Sequence, residues 1–415
     1  MYTILFWCII AILVLNFAVD AILDHLNVKY ADVNLPKEVE GIYDAEKYKK
    51  QQEYFKTNNR FGAVSDIFNF IVIMLMFFFF GFAFVDNIAR DCTDNWMLIS
   101  LIFFGILYFA NEIISIPFEW YQTFTIEERF GFNKMTPKIF CLDLVKEWLM
   151  TIILGGSIAA LLMLFYQYTG KYFWIIAWVV VAIINIFMMM FYSSLILPLF
   201  NKQTPLPEGE LRTEIEKFCA KVGYQIENLY VMDGSKRSTK ANAFFTGLGA
   251  KKRIILYDTL VNTLSTEEIV AVLAHEIGHY KHKHTRAMLA ISLANIAVMF
   301  FLLSLILGTP EEGNLYVAQA LGSENPSFHF GVLVFGILYT PISTILSIGL
   351  NCLSRHNEYQ ADSFARDNGL AEPLANALKK LSVSSLSNLT PHPAYVFVNY
   401  SHPTLLQRLE NLKNK

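Results

Sequence analysis

Long apolar runs alternate with polar, turn-rich stretches along most of this chain. Runs long enough to cross a bilayer as helices fall at 3–22, 65–86, 97–118, 149–168, 173–197, 286–307 and 330–351. The pattern predicts an α-helical integral membrane protein with seven transmembrane helices. The third run is interrupted by Asn111 and Glu112 and closed by Pro117, the sixth contains Asn295, and the seventh contains Pro341. Glu112 either faces a bundle interior or wet cavity, or lies near enough to a span end to snorkel. No Lys or Arg precedes the first run and no Ala-x-Ala site follows it, so a retained first span is expected.

Between the fifth and sixth runs the pattern shifts. Residues 198–285 read as a small α+β insert: an amphipathic helix from Glu208 to about Val222, then strand-like runs Leu229–Met232, Ala243–Thr246 and Arg253–Tyr257. Turn residues Asp233-Gly234 and Gly247–Gly249 separate them. A second helix follows, opened by Ser265 with Glu268 three residues on, the signature of a capping box. Four parts are therefore expected: a five-span membrane domain at 1–197, the insert at 198–285, a transmembrane hairpin at 286–351 and a C-terminal segment at 352–415.

Composition supports the membrane reading. Hydrophobic residues make up 54% and charged residues only 17%, where soluble domains sit nearer a quarter charged. A net charge of −3 points away from nucleic acid as a partner. The five cysteines are scattered without Cys-x-x-Cys spacing, so neither a disulfide framework nor a thiolate metal site is expected. The basic residues orient the spans: of 33 Lys and Arg, only Arg90 and Lys171 fall in the alternate loops. The N-terminus is thus expected outside, with the insert and C-terminus in the cytoplasm.

The second helix of the insert carries His275-Glu276-Ile277-Gly278-His279. Residues i and i+4 share a helix face, so His275 and His279 can bind one metal ion from the same side, and Glu276 can take a proton from water held there. A catalytic zinc needs a third protein ligand. Glu358 is the leading candidate, and the hairpin of spans six and seven independently returns it to the side of the two histidines. Asp362, one turn later, is placed to accept the second ring N–H of a metal-binding histidine. His402 is a candidate hydrogen-bond donor to a developing oxyanion, and Arg408 a candidate partner for Asp362; both equally suit a surface loop and helix. His282 and His284, set among lysines, are expected to be exposed.

Taken together, these residues resemble the integral-membrane zinc peptidases typified by CAAX prenyl protease 1. The likeness runs nearly end to end, through Leu35-Pro36-Lys37-Glu38-Val39-Glu40-Gly41, Thr125–Lys134, Asp233–Ser238, Lys240–Phe244, the His-Glu-x-x-His motif, Glu358-x-x-x-Asp362 and His402-Pro403-Thr404. It implies a barrel of seven helices around a water-filled chamber, with a zincin-like site at its cytoplasmic end. It further implies one zinc ion per chain held by His275, His279 and Glu358, with Glu276 as base. His402 and Arg408 would support the transition state, and the Asn242-Ala243 strand would receive the substrate by strand addition. The partners would be a peptide or protein, prenylated or membrane-tethered, and the bilayer. Either C-terminal CAAX processing or membrane-protein quality control fits, and the competing class is a zinc-binding scaffold that no longer cuts. Short loops, and lysine at only one of the usual retrieval positions near the C-terminus, suggest a bacterial plasma membrane over an endoplasmic reticulum.

Overall fold

The computed structural model describes residues 3–31, 35–36, 39–40, 44–225, 228–246, 253–310 and 313–413. Lys37, Glu38 and Gly41 of the first family stretch, the Gly247–Gly249 turn and the last two residues lie outside this set. Among the described residues, six helical stretches are long and apolar enough to cross a membrane: Ile4–Tyr30, Ala45–Phe78, Trp96–Phe130, Pro137–Phe200, His284–Leu307 and Phe328–Asp367. The fourth is 64 residues long. As one rod it would reach about 96 Å, three times a hydrocarbon layer of about 30 Å. It breaks at Gly170, whose φ of +49° suits a residue without a Cβ, and its two halves pack on each other. Predicted spans four and five are these two halves.

The principal helices are α1 (Ile4–Tyr30), α2 (Ala45–Phe78), α3 (Gly81–Cys92), α4 (Trp96–Tyr121), α5 (Pro137–Met150), α6 (Gly156–Thr169) and α7 (Phe173–Leu195). Several run well beyond their apolar windows. The α2 helix starts at a polar stretch capped by Asp44, whose carboxylate accepts from the Lys47 N–H at 2.7 Å. Exposed Ile4, Leu15, Ile67, Ile71, Phe84, Ile113, Ile153 and Ile183 leave apolar surface on the outside of the bundle, the reverse of a soluble fold.

After α7 the chain forms strand β1 (Gln203–Pro205), helix α8 (Glu210–Lys221) and strands β2 (Leu229–Met232), β3 (Ala243–Thr246) and β4 (Arg253–Tyr257). They make one sheet in the order β1-β2-β4-β3, with β2 and β4 parallel and the outer pairs antiparallel. Three strands match the expected runs. The fourth, β1, is three residues long and ends in Pro205, which lacks an N–H and so suits an edge. Helix α9 (Thr266–Lys281) buries Ile269, Leu273, Ala274 and Ile277 in a core with Ile254 and Leu256 of the sheet and Ala365 and Leu374 from the C-terminal region.

Helix α10 (His284–Leu307) follows after a sharp turn. Helix α11 then runs unbroken from Phe328 to Asp367, 40 residues, with Pro341 inside it. The predicted span at 330–351 and the acidic motif beyond it are therefore one rigid element. Helices α12 (Ala371–Ser384) and α13 (Leu405–Lys413) close the chain.

Candidate metal centre

Helix α9 begins as its capping box requires. The Ser265 hydroxyl accepts from the Glu268 N–H at 3.3 Å, and the Glu268 carboxylate accepts from the Ser265 N–H at 2.8 Å. Lys380 adds an ion pair to Glu268 at 2.7 Å. Burial alone would raise the Glu268 carboxyl, but Lys380 and the Ser265 hydrogen bonds outweigh it and hold the pKa below the ordinary carboxylate value.

One turn apart on α9, His275 and His279 bring their Nε2 atoms to 3.2 Å from each other. Helix α11 crosses here. Glu358 Oε2 lies 3.4 Å from His275 Nε2, and Glu358 Oε1 lies 3.2 Å from His279 Nε2. Zinc bonds of about 2.1 Å in a tetrahedron would space their donor atoms about 3.4 Å apart. The spacing observed therefore fits such an ion, and the donor set of two imidazoles and one carboxylate suits zinc chemistry. Glu358 Oε2 is buried without a hydrogen bond among the described residues, and Arg408 Nη1 stands 3.4 Å from it as an ion-pair partner.

The crossing depends on Gly278. A Cβ at this position would stand 3.0 Å from the Ala361 Cα and 3.2 Å from its carbonyl oxygen, so the two backbones meet where side chains normally keep them apart. The sequence reading treated Gly278 as a spacer; it is the contact that lets Glu358 reach the histidines.

Behind the donor atoms, His275 Nδ1 lies 2.8 Å from Asp362 Oδ1, and Asp362 is fully buried. Arg408 donates twice to the same carboxylate, from Nη2 at 2.6 Å and Nε at 3.0 Å. Burial and the Arg408 charge oppose a proton on His275, and the Asp362 and Glu358 carboxylates outweigh them, so its pKa stands above the ordinary histidine value. His402 reaches the site from the loop before α13, with Nε2 3.4 Å from Glu358 Oε1, while 64% of its side chain remains exposed. Glu276 is half-buried on the same helix and makes no ion pair or side-chain hydrogen bond among the described residues.

Ala243 opens edge strand β3 and Asn242 precedes it; the Asn242 side chain accepts from the Ala243 N–H at 2.8 Å. The preceding Ala241 lines a cavity of about 480 Å³ together with His402 and Arg408, so this strand starts beside the site. Glu112 accepts a hydrogen bond from Trp148 Nε1 at 3.0 Å, a partner from the neighbouring span. His282 is exposed as expected, but His284 is not. It is buried, with Nδ1 3.0 Å from His279 Nδ1 and Nε2 2.8 Å from Gln360 Oε1. The cause is Lys283, whose left-handed φ of +60° turns the chain and folds His284 back beneath α9.

Apolar helices for a bilayer, carrying a His-Glu-x-x-His helix completed by a distant glutamate, define a multi-pass membrane metallopeptidase. The comparisons agree. Residues 24–202 match the family model described as CAAX prenyl protease N-terminal, five membrane helices, and residues 205–415 match peptidase family M48. The rice CAAX prenyl protease 1 homolog is 34% identical over 392 residues, covering 92% of this chain and 90% of the relative. CAAX prenyl protease 1 of Saccharomyces cerevisiae is 33% identical over 407 residues, with 92% and 89% covered. The crystal structure of S. mikatae Ste24p superposes with a TM-score of 0.91 at 32% identity, covering 99% of each chain. The chain belongs to the CAAX prenyl protease 1 family of M48 peptidases. These relatives are eukaryotic, and the expectation of a bacterial host is not borne out. It rested on loop lengths and a terminal lysine, features that surface loops and termini vary without cost to the fold.

Proposed function

We propose that this chain is a zinc endopeptidase that hydrolyses peptide bonds near the C-terminus of prenylated, membrane-tethered substrates. The names of the relatives supply the substrate class. The observation that carries the chemistry is the convergence of His275 Nε2, His279 Nε2 and the Glu358 carboxylate, 3.2–3.4 Å apart, beside Glu276 on the same helix. One zinc ion held there supplies a Lewis acid that polarises the scissile carbonyl and acidifies water.

The protein's own groups do the rest. Glu276 takes a proton from the attacking water and delivers it to the leaving amine. His402, exposed on the open side of Glu358, donates to the oxygen on which charge develops. Asp362, fixed by Arg408, holds His275 with Nε2 turned to the metal. Asn242 and Ala243 offer the open edge of β3 to an extended substrate.

The reading includes seven crossings, counting the two halves of the Pro137–Phe200 stretch separately, arranged around a chamber. It keeps the four parts at 1–197, 198–285, 286–351 and 352–415. The basic-residue bias supports an outside N-terminus with the site and C-terminus in the cytoplasm. A silent zinc scaffold would have no need of Glu276.

The test is Glu276→Gln in the purified full-length protein. Zinc content should stay at one per chain, while cleavage of a farnesylated C-terminal peptide falls by about 10³-fold or more, within reach of losing the base and its polarisation of water. Cleavage at the wild-type rate by the glutamine variant would overturn the mechanism. Cleavage of unprenylated peptides at equal efficiency by the wild type would overturn the substrate class.

A further inference from the structure

His284 is the buried titratable group at the site that the proposed chemistry leaves without a task. It sits at the first residue of α10, linked on one side to His279 and on the other to Gln360 of α11. Gln360 Nε2 in turn lies 3.2 Å from His356 Nε2, and His356 is exposed. Four side chains thus form a line from the metal-facing imidazole to solvent.

The direction of every hydrogen bond in this line follows once His279 Nε2 presents its lone pair to a metal. A neutral imidazole then carries its proton on Nδ1, so His279 donates to His284 Nδ1. His284 must hold its own proton on Nε2, which faces Gln360 Oε1 at 2.8 Å and donates to it. The Gln360 amide is left with its NH₂ toward His356 Nε2, which accepts. Each atom has the role its chemistry allows, and reversing any link would break the next. Asp362 does the corresponding work for His275, so the two histidines are backed differently: one by a carboxylate tied to Arg408, the other by a neutral imidazole anchored on α11.

We propose that His284 is a positioning residue for the metal: it fixes His279 in the Nδ1–H tautomer with Nε2 aimed at the ion, and Gln360 and His356 hold His284 in the matching tautomer. The inference rests on His275, His279 and Glu358 being metal ligands. It makes the loop between α9 and α10 part of the metal site, through the left-handed turn at Lys283.

The test compares zinc dissociation constants of the full-length wild type, His284→Leu and His284→Asn in detergent, by competition with a chromophoric chelator. An asparagine Oδ1 stands near the place of the imidazole Nδ1 and can accept from His279, whereas leucine cannot. His284→Leu should bind zinc about 10–100-fold more weakly, the usual cost of losing a partner behind a metal-binding histidine. His284→Asn should recover most of that loss. At saturating zinc, KM should be unchanged in all three, because His284 touches no substrate. Zinc affinity unchanged by leucine, or an asparagine variant as weak as leucine, would overturn the assignment. Should the leucine variant not fold, Gln360→Leu at a partly exposed position asks the same question: about tenfold weaker binding supports the line, and unaltered binding removes it. Failure of the wild type itself to bind zinc would overturn the metallopeptidase reading, an outcome distinct from either.

Discussion

Helix α11 carries a histidine–carboxylate–arginine cluster near each end, and only one of them suits catalysis. Near its start, His329 lies 3.0 Å from Asp86 on one ring nitrogen and 3.0 Å from the Ser100 hydroxyl on the other, while Arg90 donates to Asp86 at 2.8 Å. On paper this is the serine–histidine–carboxylate order of a hydrolase. In space it is sealed: His329 and Asp86 are 0% exposed, Ser100 is 2% exposed, and Phe103 stacks on the imidazole at 4.2 Å. At the far end, two imidazoles and a carboxylate share one focus, and His402 and Glu276 leave an open side. Residue types alone do not make a site; a convergence of lone pairs with an approach for substrate does. The first cluster joins α3, α4 and α11, and we read it as a polar clasp between helices.

The contrast can be broken in several ways. Asp86→Ala leaves buried His329 and half-buried Arg90 without their carboxylate and should cost about 3 kcal/mol of stability. Thermal unfolding in detergent measures it, and cleavage per folded molecule should stay at the wild-type level. Gly278→Val attacks the other end through packing alone. A side chain at the α9–α11 crossing pushes Glu358 off the histidines, and a displacement of about 1 Å costs on the order of 10²-fold in rate. Metal content and turnover should fall together; wild-type values for both would show that the close crossing is not what assembles the site.

Smaller effects follow. Ser265→Ala removes half of the capping box and should destabilise by about 1 kcal/mol. Because the folded pKa of Glu268 is depressed, its contribution is fully present above the ordinary carboxylate value of 4.5 and is lost as pH falls through the depressed one. The difference between Ser265→Ala and wild type in denaturation midpoint should therefore shrink in acid. Smallest of all, Ser100→Ala should leave cleavage unchanged, and a large loss of turnover would mean that the sealed cluster takes part in chemistry.

What the sequence disclosed follows the same division. The His-Glu-x-x-His spacing, Glu358 and Asp362 were legible because each residue type has a chemical use at its place, whereas His402 and Arg408 equally suited a surface loop and helix and drew their roles only from the family resemblance. The strands at 229–232, 243–246 and 253–257 were legible from their apolar runs. His284 was not, because its burial depends on a left-handed Lys283, and nothing in the chemistry of lysine announces that turn. Gly278 was not, because the need for a missing Cβ exists only once α11 has arrived. The apolar runs do not mark the helix ends, because polar helix continues the spans to Ala45 and Asp367; hydropathy registers what lipid tolerates, whereas a helix ends at its caps. The Pro137–Phe200 stretch shows the converse, a reversal with almost no polar interruption, marked only by Gly170 and Lys171.

The long α11 helix also sets when the protein can become active during its own synthesis. His275 and His279 emerge before Glu358, which arrives only after the α10–α11 hairpin, and His402 and Arg408 follow it. A nascent chain stalled or truncated before α11 holds two imidazoles and no third ligand. On the proposed ligand set, no fragment of that kind can assemble a working centre, and a growing polypeptide carries its protease disarmed until the C-terminal helices have docked.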